Sequence, residues 1–357
     1  MSQSVLTIDG LQYSNWSRAI FEQMREGGVD AVHATLVYHE NCRETLLRFG
    51  EWQRRFEEHA DLIMPVREAS DIELARESHR VGVFFGAQNC SPIEDDIDLV
   101  AIMRRLGLLI MQLTYNNQSL LACGCYETED SGITRFGRQA IREMNRVGML
   151  VDMSHSAERS TLEAIELSER PVIISHANPA SFHPAKRNKS DTVLRAIAQS
   201  GGLLGFSVYP FHLKNGPDCT LDDFCGMVAD TAELMGIDHI GMGTDLCQAQ
   251  PESVLTWMRN GRWTRAMDYG EGSQGNAGWP SPLTWFSDNR HFPAIVEGLR
   301  QKGFNHEDIE KIMGRNWLRQ LTEGTRPARV VKVAFPLLVA KHGAAPDDES
   351  RILEFRR

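Results

Sequence analysis

The sequence has no apolar run of the roughly eighteen residues that a membrane-spanning helix needs. Its opening, MSQSVLTIDG, has neither the basic start nor the apolar middle of a secretory leader. No G-x-G-x-x-G follows the first β-like run, and G-x-x-x-x-G-K-[ST] is missing altogether, so neither dinucleotide nor P-loop nucleotide binding is expected. Positive charge is also short: 38 Lys and Arg against 48 Asp and Glu give a net charge of −10, which argues against a nucleic-acid partner. The seven cysteines are scattered and fit neither a disulfide framework nor a zinc ribbon. Cys123-Gly-Cys125, the closest pair, reads as free thiols near a loop. These absences lead us to expect a reduced, cytoplasmic protein with no membrane partner.

What is present is an alternation. Apolar residues make up 42% of the chain, enough for a large core. Short β-rich runs fall at Val5–Asp9, Ala31–His39, Val81–Gln88, Leu108–Tyr115, Met149–His155, Pro171–His176, Gly202–Tyr209 and His239–Asp245. Several are continuously apolar, as strands covered on both faces should be. Amphipathic stretches separate them, with Ser156 and Thr220 as expected N-caps and Gly148 and Gly236 as stops. Eight strands alternating with helices predict an α/β fold, a closed (β/α)₈ TIM barrel over residues 1–323. Residues 248–290 form a long polar insert holding four of the seven tryptophans, expected to be a lid or an oligomer contact. The extension 324–357 is expected to lie on the barrel or on a partner subunit.

The strand ends carry the chemistry. GMLVDMSHS and PVIISHAN each stop an apolar run at Ser-His, placing His155 and His176 at the ends of the fifth and sixth strands. Asp245 closes the last strand in GMGTD, and Arg187 follows the sixth. In a barrel these positions share one mouth. Two imidazoles there read as metal ligands or as an acid/base pair. A single strand-end histidine more often has a structural role, and His39 in VYHEN is read that way. His59, His79, His291 and His306 read as surface residues.

The ordered blocks MLVDMSHS, RPVIISHANPASFHPAKRNKSD, GMGTD and GRNWLR resemble the renal (membrane) dipeptidase family of the amidohydrolase superfamily, from about Leu6 to Leu321. The resemblance implies a zinc-dependent, homodimeric barrel hydrolase of dipeptides with two metal ions bridged by a carboxylate. His155 and His176 match its two-histidine metal site, Arg187 its substrate-carboxylate arginine and Asp245 its proton-transfer aspartate. The other half departs from the pattern. Where the family has DGHND, this chain has Asp9-Gly10-Leu11-Gln12-Tyr13, so Leu11 and Tyr13 replace a histidine and an aspartate. Gln88 stands at the bridging glutamate, and Tyr115 at the histidine that steadies the oxyanion, where a phenol can still donate. Leucine offers no lone pair, and an amide brings no charge to hold two dications together.

Two functions therefore compete. One is a dipeptidase-like amidohydrolase with a reduced site: one zinc on His155 and His176, aided by Gln88, acting on a dipeptide or small amide with a free carboxylate. Asp245 and Tyr115 would be catalytic there, and Arg187 would hold the carboxylate. The other is a metal-free barrel in which Tyr13 and its aromatic neighbours bind a small cationic amino-acid derivative.

Overall fold

The structure, a computed structural model, describes residues 5–327. The chain builds β1 (Ile8–Gln12), β2 (Ala31–Val37), β3 (Ile63–Pro65), β4 (Val81–Ala87), β5 (Leu108–Gln112), β6 (Leu150–Asp152), β7 (Ile173–Ala177), β8 (Leu203–Phe206) and β9 (Ile240–Met242). Every pairing is parallel, in the order β1-β2-β4-β5-β6-β7-β8-β9. Just past β9 the chain meets β1 again: Tyr13 N–H donates to Leu246 O at 3.1 Å, and Asp245 N–H to Leu11 O at 3.0 Å. The result is a nearly closed eight-stranded parallel barrel wrapped in helices, the (β/α)₈ fold that the alternation predicts.

The core has two shells, because each strand alternates its side chains between the barrel interior and the helical coat. Ile8, Phe84, Ile110, Ile173 and Leu203 belong to an inner cluster with Trp317, which reaches in from the helix Asn316–Gly324. The Trp317 indole N–H donates to Met242 O at 2.6 Å. This plug dictates Gly10, since a Cβ there would stand 2.1 Å from the Trp317 ring. The larger outer cluster joins strands to helices through residues such as Phe21, Trp52, Met103, Ile141 and Phe224.

Several boundaries correct the sequence reading. β6 stops at Asp152 rather than at His155, because the Asp152 carboxylate accepts from Ser154 N–H at 2.9 Å and turns the chain. The last strand starts at Ile240, after a 3₁₀ turn over Ile237–His239. β3 pairs only with β4, outside the ring, and three residues are too few to signal a strand. Ser156 does not cap the next helix: Ala157 holds that position, and the Ser156 hydroxyl bonds Thr114 Oγ1 at 2.9 Å. Thr220 does cap its helix, accepting from Asp223 N–H at 3.0 Å.

The stretch 248–290 is not merely a loop. It contains the helix Glu252–Asn260 and folds over the barrel mouth. No helix among the described residues is long and apolar enough to cross a membrane. Most of the extension expected at 324–357 lies outside the described residues.

Candidate active site

The C-terminal ends of the strands enclose a small cavity of about 50 Å³, lined by Tyr13, Gln88, Tyr115, His155, Arg187 and Asp245. His176 lies directly behind His155, with the two Nε2 atoms 3.0 Å apart. All seven residues singled out in the sequence therefore gather at one mouth.

The imidazoles are oriented from behind. His155 Nδ1 faces Asn116 Oδ1 at 2.7 Å. His176 Nδ1 faces Ser175 Oγ at 2.7 Å, and Ser175 gives its own proton to Asp152. Both oxygens act as acceptors, so each ring carries its proton on Nδ1 and turns a bare Nε2 forward. Gln88 sends its NH₂ to Thr35 Oγ1 at 2.8 Å and leaves Oε1 at 3.0 Å from His155 Nε2. Three lone pairs thus converge with no proton among them. Burial, with the nearby Arg187 charge second, pushes both histidines well below the usual imidazole range, so they stay neutral.

Asp245 owes its aim to Asp9. The buried Asp9 carboxylate accepts from Thr244 N–H at 2.7 Å and from the Thr244 hydroxyl at 2.5 Å. The next residue then turns out with φ of 58°, a left-handed conformation that aspartate tolerates better than most residues. Asp245 is 8% exposed, and its carboxylate makes no hydrogen bond among the described residues; His212 Nδ1 and His176 Nε2 stand 3.9 and 4.0 Å away. Burial raises it to about 7 against the pull of Arg187.

Arg187 is 2% exposed. Its guanidinium donates to Ser154 O and, at 3.2 Å, to His176 O. It forms no ion pair with a carboxylate of the described residues. Tyr115 stacks on His155 with centroids 4.1 Å apart, and burial holds its phenol well above the usual range, so it remains a neutral donor.

The other half of the mouth is apolar. Leu11, Tyr13, Tyr38, Tyr115 and Met258 form one buried cluster with Trp257 and Trp279 against it. Rings fill the place where the family's H-x-D pair would stand, and the insert roofs them. A two-ion centre does not fit this chain, because Leu11 and Tyr13 offer no charged ligand and Gln88 brings no bridging charge. One ion fits the converging His155, His176 and Gln88, whose Nδ1 bonds are the outer-sphere support that ligating histidines usually have. No third His, Cys, Asp or Glu of the described residues completes a ligand group with the histidines.

Several lining residues escaped the sequence reading. Glu271, from the insert, accepts from Arg187 N–H at 3.2 Å and lies 3.4 Å from His212 Nε2. Arg259 and Tyr126 also border the cavity, and Lys189 donates to Ser156 O at 2.8 Å beneath it. Lys189 falls inside the block RPVIISHANPASFHPAKRNKSD, whereas for Glu271 and Arg259 the one signal was the insert's length. His39 is a bonded core residue, meeting Asn89 at 3.0 Å and Met258 O at 3.1 Å. His59 is half-buried against Phe21 rather than on the surface. All seven cysteines are free thiols.

The nearly closed parallel barrel with two histidines and a buried arginine at one mouth places the chain among the (β/α)₈ barrels, and comparison narrows the class. The family model for membrane dipeptidase (peptidase family M19) matches residues 9–255, and the chain belongs to that family. Dipeptidase tcpJ of Claviceps purpurea is 28% identical over 312 residues, 87% of this chain and 65% of the relative. Dipeptidase verJ of Clonostachys rogersoniana is 24% identical over 285 residues, 79% of this chain. The chain spans 65% of the length of each of these two relatives. Among solved structures, an amidohydrolase from Pseudomonas aeruginosa superposes with a TM-score of 0.85 at 34% identity, covering 90% of this chain and 97% of that one. A metallopeptidase from Rhodobacter sphaeroides, liganded with a phosphinate mimic of L-Ala-D-Ala, shares the fold with a TM-score of 0.74 at 16% identity, covering 90% and 100%.

Proposed function

We propose that the protein hydrolyses a dipeptide, or a small amide with a free carboxylate, at a site reduced to one metal ion. The observation that carries this reading is Arg187: a buried guanidinium that, among the described residues, is ion-paired with no carboxylate, in the same cavity as Asp245, whose carboxylate is unbonded among those residues. Burying such a charge unpaired is costly, and a ligand carboxylate offsets that cost. The dipeptidase relatives support the same substrate class.

Each side chain then has a task. Arg187 fixes the substrate carboxylate and so the orientation of the amide. Asp245 takes a proton from the attacking water and passes it to the departing amine as the C–N bond breaks. The Tyr115 hydroxyl donates to the oxygen that gains charge. An ion held by His155, His176 and Gln88 would supply acidification of the water. The test is a dipeptide panel assayed with added zinc, on wild type and Arg187→Met. Hydrolysis with KM raised in the variant supports the reading; no cleavage of any dipeptide overturns it.

The alternative reading, a metal-free barrel for a cationic amino-acid derivative, draws support from the rings of Tyr13, Tyr115 and Tyr209 beside Asp245 and Glu271. Thermal stabilisation by quaternary amines but never by divalent ions would favour it.

A further inference from the structure

The Arg187 cavity holds about 50 Å³, space for a few water molecules or a small carboxylate group but not for a whole dipeptide. The remainder of any substrate anchored there must go elsewhere. Asp245 and Tyr209 also border a second chamber of about 520 Å³, more than ten times larger and within the range usual for ligand sites. The helix Arg18–Glu26 forms one wall through Ala19, Ile20 and Gln23. The insert forms the opposite wall through Trp279, Leu283 and Phe286. Leu283 and Phe286 are firmly seated, each at most 2% exposed, so that wall is preformed. The Trp279 ring packs against Tyr13 on its far side, with centroids 6.1 Å apart, which fixes the wall in place.

Resting on the proposed reaction, we infer that this chamber is a specificity subsite. The substrate lies across Asp245 with a small C-terminal residue, glycine or alanine, on Arg187 and a large, mainly apolar N-terminal side chain between the first helix and the insert. The insert is then what sets substrate choice, because the strand-end groups sit on the other side of Asp245 and read only the carboxylate end.

The inference separates from the reaction by measuring binding and turnover independently. Calorimetric titration of the full-length Asp245→Asn protein with Phe-Ala and Ala-Ala reads affinity under conditions that suppress turnover; wild type assayed with both reads kcat/KM. The expected result is Phe-Ala binding about tenfold or more tightly than Ala-Ala, as burial of a phenyl ring should give. Ala19→Trp, at an exposed helix position that should tolerate the change, fills the chamber and abolishes the difference when added to the Asn variant. Ala-Phe should bind worse than Phe-Ala. Equal affinities, no binding of either dipeptide, or a preference untouched by Ala19→Trp would overturn the subsite. Preference in binding without any hydrolysis by wild type would sink the reaction alone; hydrolysis without preference would sink the subsite alone.

Discussion

The two halves of the barrel mouth are built on opposite principles. From β5 round to β8 the rim is polar and wired: Asn116, Ser175 and Asp152 orient the imidazoles that face the cavity, and Thr35, reaching in from β2, holds Gln88 beside them. From β1 to β2 the rim is a plug of Leu11, Tyr13 and Tyr38, sealed by Met258 of the insert. One half holds lone pairs at fixed positions, whereas the other is buried apolar surface, with none of Leu11, Tyr13, Tyr38 and Met258 more than 8% exposed. The difference teaches that Leu11 and Tyr13, at the positions where the resemblance would put an H-x-D pair, are packed as core, while His155 and His176 keep hydrogen-bonded Nδ1 atoms.

Changes to the two halves should therefore have unequal consequences. The largest effect is expected from His176→Ala, which removes one of the converging nitrogens: kcat/KM for a cleavable dipeptide should fall about 10³-fold or more, while Tyr13→Phe stays within about tenfold of wild type. Steady-state kinetics of both variants would check the asymmetry, and comparable losses would break it. Arg187→Met comes next, with KM up by about 100-fold and a smaller change in kcat, because the guanidinium acts mainly in holding the carboxylate.

How much of this asymmetry could be read in the sequence depends on what each half is made of. The wired half was legible because Ser154-His155 and Ser175-His176 end apolar runs, and the barrel's handed, parallel architecture sends all such ends to one face. The loss of the ligand pair was legible as Leu11 and Tyr13. That those residues form a roofed plug was not, since Tyr38, Met258 and Trp279 come from three separate segments and meet only in the closed barrel. Glu271 and His212 stayed hidden for the same reason: their partner is a residue far away in the chain, and neither sits at a strand end. Strand ends were read too long because Asp152 and Asp9 turn the backbone with side-chain bonds that carry no hydropathy signal.

Stability should sharpen the comparison further. Restoring the family pair with Leu11→His and Tyr13→Asp puts polar groups into the plug and should lower Tm by about 5–10 °C, read by calorimetry, without creating a second ion site. A rise in Tm with zinc in that variant, beyond any in wild type, would show the plug to be a dormant metal site instead. The smallest effect concerns Asp9, whose carboxyl burial raises from 3.8 to about 6. Between those values the folded protein binds the proton more tightly than the unfolded chain. This contribution to stability is therefore full at the acid end and is lost as pH rises through about 6, with a slope of at most ~1.4 kcal/mol per pH unit. Asp9→Asn should flatten that part of the pH–stability curve; an unchanged curve would contradict the assignment.

The most direct test of the half-retained mouth is the metal content of protein purified without chelators, measured by mass spectrometry alongside dipeptide hydrolysis. A single zinc per active chain, lost on His155→Ala or His176→Ala, is the predicted result. Two ions per chain, or full activity in protein stripped of metal, would contradict it.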